Sequence, residues 1–262
     1  MLPQDKTSFN REFRRFLWSS ILIALSGCLG NVVDAIIVGN LIGEDGVSAI
    51  NLTKPVVQFM FTLSMLLSTG AGMLIGMELG RKAISRASYI YTLSMAACLA
   101  VGLLMTACGL LFPDTVTGWL CNNGPLFQPT RDYLVVMLLG APAYMMMWAL
   151  STMAGVDGSP RLVSVAILID NAVNLALDIV FIRWLNWGIE GSSTATVIGH
   201  LVGIAIMCRH FLYKDNHLRL LFKSAELRFG QAFQQILSQG APLAIASICL
   251  TLLMFSSNSI VL

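Results

Sequence analysis

Long apolar runs dominate this chain and leave few folds open to it. Seven of them cover roughly 16–42, 47–77, 87–112, 131–155, 161–183, 188–212 and 236–262. A helix needs about 20 mainly apolar residues to cross the hydrocarbon core of a bilayer, and each run reaches that length. Strands of a membrane barrel would instead be about 10 residues long with alternating polarity. Gly and Pro inside the runs, such as Pro55, Gly70, Gly72 and Pro142, are tolerated in membrane helices because neighbouring groups satisfy the freed backbone. Only 11% of the residues are charged, against roughly 25% in soluble domains. The fold class that follows is an all-α polytopic membrane protein. The cysteines Cys28, Cys98, Cys108, Cys121, Cys208 and Cys249 match no metal or redox spacing and read as small hydrophobes in helices.

Basic residues set the orientation. With the N-terminus in the cytoplasm, thirteen of the 16 Lys and Arg fall inside, Arg131 and Arg183 fall outside, and Lys54 lies within the membrane. That asymmetry follows the positive-inside rule. The opening MLPQDKTSFNREFRRF runs into the first apolar run without a small-residue cleavage site, so it reads as a cytoplasmic start rather than a signal peptide. The expected protein is multi-pass, in the cell membrane. The expected organisation is a six-helix lobe over 1–212, a basic cytoplasmic linker over 213–235, and the start of a second lobe over 236–262. The seventh run heads outward and the sequence stops inside it at Leu262.

Polar groups inside the runs carry the functional signal. Ionisable side chains in hydrocarbon cost a few kcal/mol or more, so they are rare and usually functional. Asp34 lies in the first run, Asn174 and Asp178 in the fifth, and Thr196 in the sixth. Counting along each helix at 1.5 Å per residue places all four roughly 8–14 Å below the outer surface. Asn174 and Asp178 are four residues apart and share a helical face, which Asp170 extends by a turn. Two carboxylates, an amide oxygen and a hydroxyl suit a hard cation such as Na⁺, or shared protons. A structural Lys54–Asp34 ion pair competes with that reading, because Lys54 enters from the outer end of the second run at similar depth. Gln58 lies one turn below Lys54. Lys54, Gln58 and Asp170 are therefore accessory candidates.

Several motifs resemble the MATE (multidrug and toxic compound extrusion) family. NVVDAIIVGNLIG is similar to its first helix and SAINLTKPV to the start of its second. GSPRLVSVAILIDNAVNLALDIVFI followed by WGIEGSSTATVIG is similar to its helices five and six, and LSQGAPLAIAS to the opening of helix seven. The resemblance implies a twelve-helix transporter of two six-helix lobes, of which this chain would be the N-lobe with a partial seventh helix. Its partner would then be the C-lobe of the same protein. The family's N-lobe cation site would fall on Asp34, Asn174, Asp178 and Thr196. Some members kink helix one at a proline, and run 16–42 contains none.

The resemblance implies antiport of organic compounds, often cationic drugs or toxins, against H⁺ or Na⁺. Met60, Met65, Met145, Met146, Met147 and Trp148 are the adaptable side chains a wide cavity would use, although a Met run more often packs a helix surface. A lipid-linked saccharide exporter of the same superfamily is the rival transporter, and a non-transporting membrane scaffold is the rival of another class. An intramembrane aspartyl protease would need a GxGD motif and a zinc hydrolase an HExxH motif; the sequence contains neither. No enzymatic site, no cofactor and no nucleic-acid partner are expected.

Overall fold

In the computed structural model, residues 32–121, 124–212, 216–222 and 228–261 are described, together with Leu17, Trp18, Ile21, Leu25 and Gly30. The N-terminal basic residues, Lys214 and Lys223 lie outside the described residues. The described elements are helices: α1 (Val32–Leu41), α2 (Glu44–Gly80), α3 (Ile84–Leu111), α4 (Pro113–Leu120), α5 (Phe127–Leu139), α6 (Ala141–Val156), α7 (Pro160–Asp178), α8 (Gly188–Cys208) and α9 (Phe229–Val261). Five of them are long and apolar enough to cross a membrane, and α5 with α6, meeting at 53°, has the combined length and composition of a sixth if the pair is one broken span. The all-α polytopic class is thus what the chain adopts. Within the expected first span, 16–42, residues 16, 19–20, 22–24, 26–29 and 31 lie outside the described residues.

The chain reverses between α1 and α2 at Gly43, whose φ of 100° is a conformation that costs glycine little and other residues more. Glu44 and Asp45 then occupy the first turn of α2, where acids complement the helix dipole. Leu103, Leu104, Leu110 and Leu111 on α3 are exposed, as expected of side chains that meet lipid. Buried hydroxyls join helices instead. Ser64 donates to the Met145 carbonyl and Ser94 to the Leu67 carbonyl, both at 3.1 Å, the polar contacts membrane bundles use between helices.

The bend between α5 and α6 has a local cause. Pro142 lacks the N–H that would bond the Leu138 carbonyl, so the helix breaks there. Thr106 on α3 supplies the missing donor, its hydroxyl lying 2.8 Å from the Leu138 oxygen. Glycines let the break pack closely. A Cβ on Gly140 would fall 2.2 Å from Val197 Cγ2, and one on Gly102 2.7 Å from the Pro142 Cα. Thr106→Val is expected to leave the Leu138 carbonyl unsatisfied and to cost about 1–3 kcal/mol. A lower melting temperature of the purified protein would show it, and an unchanged one would contradict it.

Two boundaries differ from expectation. Helix α4 occupies 113–120, between the third and fourth spans, and α9 begins at Phe229 rather than near 236. Part of the expected linker is also packed against the bundle. Leu218 is buried, the Arg219 amide donates to Ser88 Oγ at 3.2 Å, and the Leu221 amide donates to Thr92 Oγ1 at 2.7 Å. The segment is anchored by Asp157, in the turn after α6. Its carboxylate accepts from His210 Nε2 at 2.8 Å, His217 Nδ1 at 3.2 Å and the backbone amides of His217 and Leu218 at 3.3 Å. Helix α9 then lies along α2. The two backbones touch where Gly70 and Gly240 cross: a Cβ on either would fall 2.0–2.1 Å from a carbonyl oxygen of the other helix.

Candidate functional site

The site grows from the α7–α8 interface, where small residues let two backbones approach. Gly191, Ala195, Gly199 and Gly203 recur every four residues on α8 and are buried. A Cβ on Gly199 would sit 2.6 Å from Asp170 Oδ1, and one on Gly203 would meet Met147 Cε at 2.6 Å and Asp170 Cβ at 3.4 Å. This stripe holds the Asp170–Asn174 face of α7 directly against α8. Overfilling a packed site usually costs about 1–3 kcal/mol, so Gly199→Ala is expected to destabilise the protein and displace Asp170. Thermal melting measures the first effect, and unchanged stability would argue against the close packing.

Residues from the three predicted helices meet here. Asn174 Nδ2 donates to Thr196 Oγ1 at 3.1 Å, and the Thr196 hydroxyl donates to the Ser192 carbonyl at 3.1 Å. One turn further along α7, Asp178 is fully buried. Its carboxyl lies within reach of the Asp34 carboxyl on α1. Both Asp178 oxygens and Asp34 Oδ1 are buried without a donor to satisfy them among the described residues. The Ser192 hydroxyl is buried beside Asp178. Asp178 is the last α-helical residue before a π-helical turn, Ile179–Trp184. Nothing in the apolar pattern of the fifth run signals that widening, which is frequent at functional sites.

The accessory candidates separate. Asp170 joins the site: both its oxygens face His200 Nδ1, at 3.0 and 3.2 Å. Lys54 is exposed and forms no ion pair among the described residues; its charge reaches Asp34 only at longer range. Equal depth did not bring the two together. Gln58 lies elsewhere, donating to Ser247 Oγ on α9 at 3.0 Å. Ser247 also shares a 2.6 Å hydrogen bond with Thr62, so Gln58 helps to hold α9 on α2.

A cavity of about 290 Å³ opens beside these groups. Asp34, Asp170, Asn174, Thr196 and His200 contribute polar wall, while Tyr133, Tyr144, Met147, Trp148 and Ile167 contribute apolar and aromatic wall. Of the adaptable side chains singled out above, Met147 and Trp148 line it; Met60 and Met145 are fully buried in the core. Tyr133, Tyr144 and His200 escaped the sequence reading. His200 was within reach of the helical spacing rule, because it follows Thr196 by four residues and therefore shares its face.

Residues 19–180 match the family model MatE. The chain belongs to the MatE family. Over 250 residues, 95% of its length, it is 23% identical to the multidrug export protein MepA of Staphylococcus aureus (strain MRSA252), of which it covers 54%. MepA of Staphylococcus haemolyticus is 24% identical over 85% of the chain and 49% of that relative. This MatE chain thus spans about half the length of the curated relatives it matches. Its fold is similar to an outward-facing multidrug resistance MATE transporter of the MOP superfamily, with a TM-score of 0.83 at 21% identity, over 92% of this chain and 53% of that one. A MATE transporter in the straight conformation gives 0.80 at 22% identity, over 92% and 54%. The MatE fold here is therefore a helical membrane lobe whose relatives export drugs.

Proposed function

We propose that this chain forms the N-terminal lobe of a secondary antiporter that exports organic, often cationic compounds across the cell membrane, with its N-terminus in the cytoplasm. The observation that carries the reading is the Asp34–Asp178 pair: buried carboxyl oxygens in mutual reach, with no hydrogen bond made to them among the described residues and the Ser192 hydroxyl beside them. Two such groups repel when both are ionised and are relieved by a shared cation. A proton is the simplest candidate, because Asn174 donates to Thr196 and the Thr196 hydroxyl donates to the Ser192 carbonyl, so both donors are engaged away from the carboxyl pair. Na⁺ is the second reading, supported by the oxygens that Asp34, Asp178, Asn174 and Thr196 bring from three helices.

Coupling needs the cation to bind one conformation better than another. Equal binding to both shifts nothing, and a large shift needs a large differential affinity. The missing half of the transport path would come from the C-lobe of the full-length protein. The cavity's described lining contains Asp34 and Asp170 but no Lys or Arg. That favours a cationic cargo over the pyrophosphate of a lipid-linked saccharide.

The test places the full-length gene product in proteoliposomes and follows efflux of a fluorescent organic cation. A pH gradient is imposed first and a Na⁺ gradient second. The proton reading predicts transport driven by the pH gradient alone. Transport driven only by Na⁺ would replace the proton with Na⁺, and transport indifferent to both gradients would reject the antiport reading.

A further inference from the structure

The Asp34–Asp178 pair leaves a second buried polar cluster unexplained. Asp170 and His200 lie on the cavity wall, 6% and 15% exposed respectively for the residue and the side chain. A carboxylate only accepts, so His200 Nδ1 carries the hydrogen between them. The other ring nitrogen, Nε2, is buried without a partner among the described residues. It is an acceptor in the neutral ring and a donor in the protonated one. Tyr144 from α6 meets the imidazole edge to face, with ring centroids 5.3 Å apart.

We propose that Asp170 and His200 form a second exchange site, in which a proton on His200 and an organic cation compete for the Asp170 carboxylate. With His200 neutral, the pair carries one negative charge beside Tyr133, Tyr144 and Trp148, whose π faces also attract cations. With His200 protonated, the pair is neutral as a whole and the attraction is largely cancelled. Low dielectric amplifies that difference relative to water. Imidazole is the side chain whose ordinary titration range crosses neutral pH, which suits it to such exchange.

Of the charged groups around this pair, Asp34 lines the same cavity. Tyr144 faces the ring from α6, and Tyr133 lines the cavity from α5. Asp34 on α1 is in reach of Asp178, and Lys54 on α2 is exposed without an ion pair among the described residues. On α7, Asn174 is bonded to Thr196. As a cation enters, the ring proton leaves Nε2 for water while Nδ1 keeps its hydrogen on Asp170, so each bound cation releases at most one proton from this site. The inference rests on the antiport reading for its cargo, while its residues are separate from the Asp34–Asp178 pair.

Binding of tetraphenylphosphonium to the purified full-length protein tests it, since that cation keeps its charge at every pH. Its affinity is measured between pH 5.5 and 8.5, with proton release recorded in weakly buffered solution. Wild type is expected to bind roughly tenfold more weakly at the acid end, a change worth about 1.4 kcal/mol, and to release protons on binding. His200→Asn should show a smaller pH step and release fewer protons per bound cation than wild type, the remainder belonging to Asp34 and Asp178. Asp170→Asn should bind weakly at every pH. Melting curves of both variants establish that they are folded. A His200→Asn profile that superimposes on wild type overturns the inference, as does Asp170→Asn binding like wild type or wild type failing to bind. None of these outcomes bears on gradient-driven flux through Asp34 and Asp178, which the proteoliposome experiment decides separately.

Discussion

Full-length protein carrying Asp178→Asn is expected to lose gradient-driven efflux by at least about tenfold, while remaining folded and inserted. Asparagine has nearly the shape of aspartate but can neither ionise nor release a proton. Its amide would donate to the Asp34 carboxyl and fill the place of the shared cation permanently. The conformational equilibrium would then no longer respond to the ion gradient, because a ligand shifts an equilibrium only through its differential affinity. Asp34→Asn should give the same loss for the same reason, with the new amide donating to the Asp178 carboxyl. If the two carboxyls act as one unit, the double variant should be little worse than either single one, since residues that act together are strongly non-additive. Additive losses would mean that Asp34 and Asp178 hold separate ions. Undiminished flux in Asp178→Asn would move coupling away from this lobe.

Removing Asp157 should have the largest effect on stability. Its side chain is fully buried and gathers four donors from two histidines and two backbone amides. His210 is itself buried, with Nδ1 in hydrogen-bond contact with Ser159 Oγ at 3.0 Å. Asp157→Ala would strand His210 and the amides of 217 and 218 together. Breaking one partner of a buried pair typically costs about 3–5 kcal/mol, and the same loss would release residues 216–222 from the bundle. Thermal melting and proteolysis of that segment measure the two effects; an unchanged melting temperature would contradict the account. The interaction also predicts a pH dependence. Burial opposes ionisation of Asp157, but the His210 hydrogen bond and the backbone amides outweigh it and hold the carboxyl below its usual range. A group depressed in this way contributes stability that is fully present above the ordinary carboxylate value, about 4. That contribution is lost as pH falls further, through the folded-state value. Wild type should therefore lose stability over that acid interval faster than Asp157→Ala does.

Much of the architecture is legible because hydrocarbon imposes simple rules. Length and polarity locate the spans, and depth counting groups Asp34, Asn174, Asp178 and Thr196 before any contact is known. What depth cannot supply is rotation about the helix axis. Lys54 and Gln58 lie at similar levels to the site, yet Lys54 is exposed and Gln58 donates to Ser247 on α9. The break at Gly140 is equally hidden. Pro142 is visible, but membrane helices tolerate proline, and the bend depends on Thr106 and on room beside Val197. His200 reads as one uncharged residue in an apolar run; only its distance to Asp170 reveals the pair. The docking of 216–222 depends on Asp157, which is distant in sequence and reads in isolation as an ordinary turn residue.

The claim that Asp34 and Asp178 share one proton can be tested by infrared difference spectroscopy on the full-length protein, recorded between alkaline and acid pH. A protonated carboxyl out of contact with water gives a C=O stretch distinct from that of a carboxylate. The account predicts such a band in wild type, corresponding to one carboxyl, and its disappearance in both Asp34→Asn and Asp178→Asn. A wild-type spectrum with both carboxyls ionised throughout, or a band that survives either substitution, would contradict it.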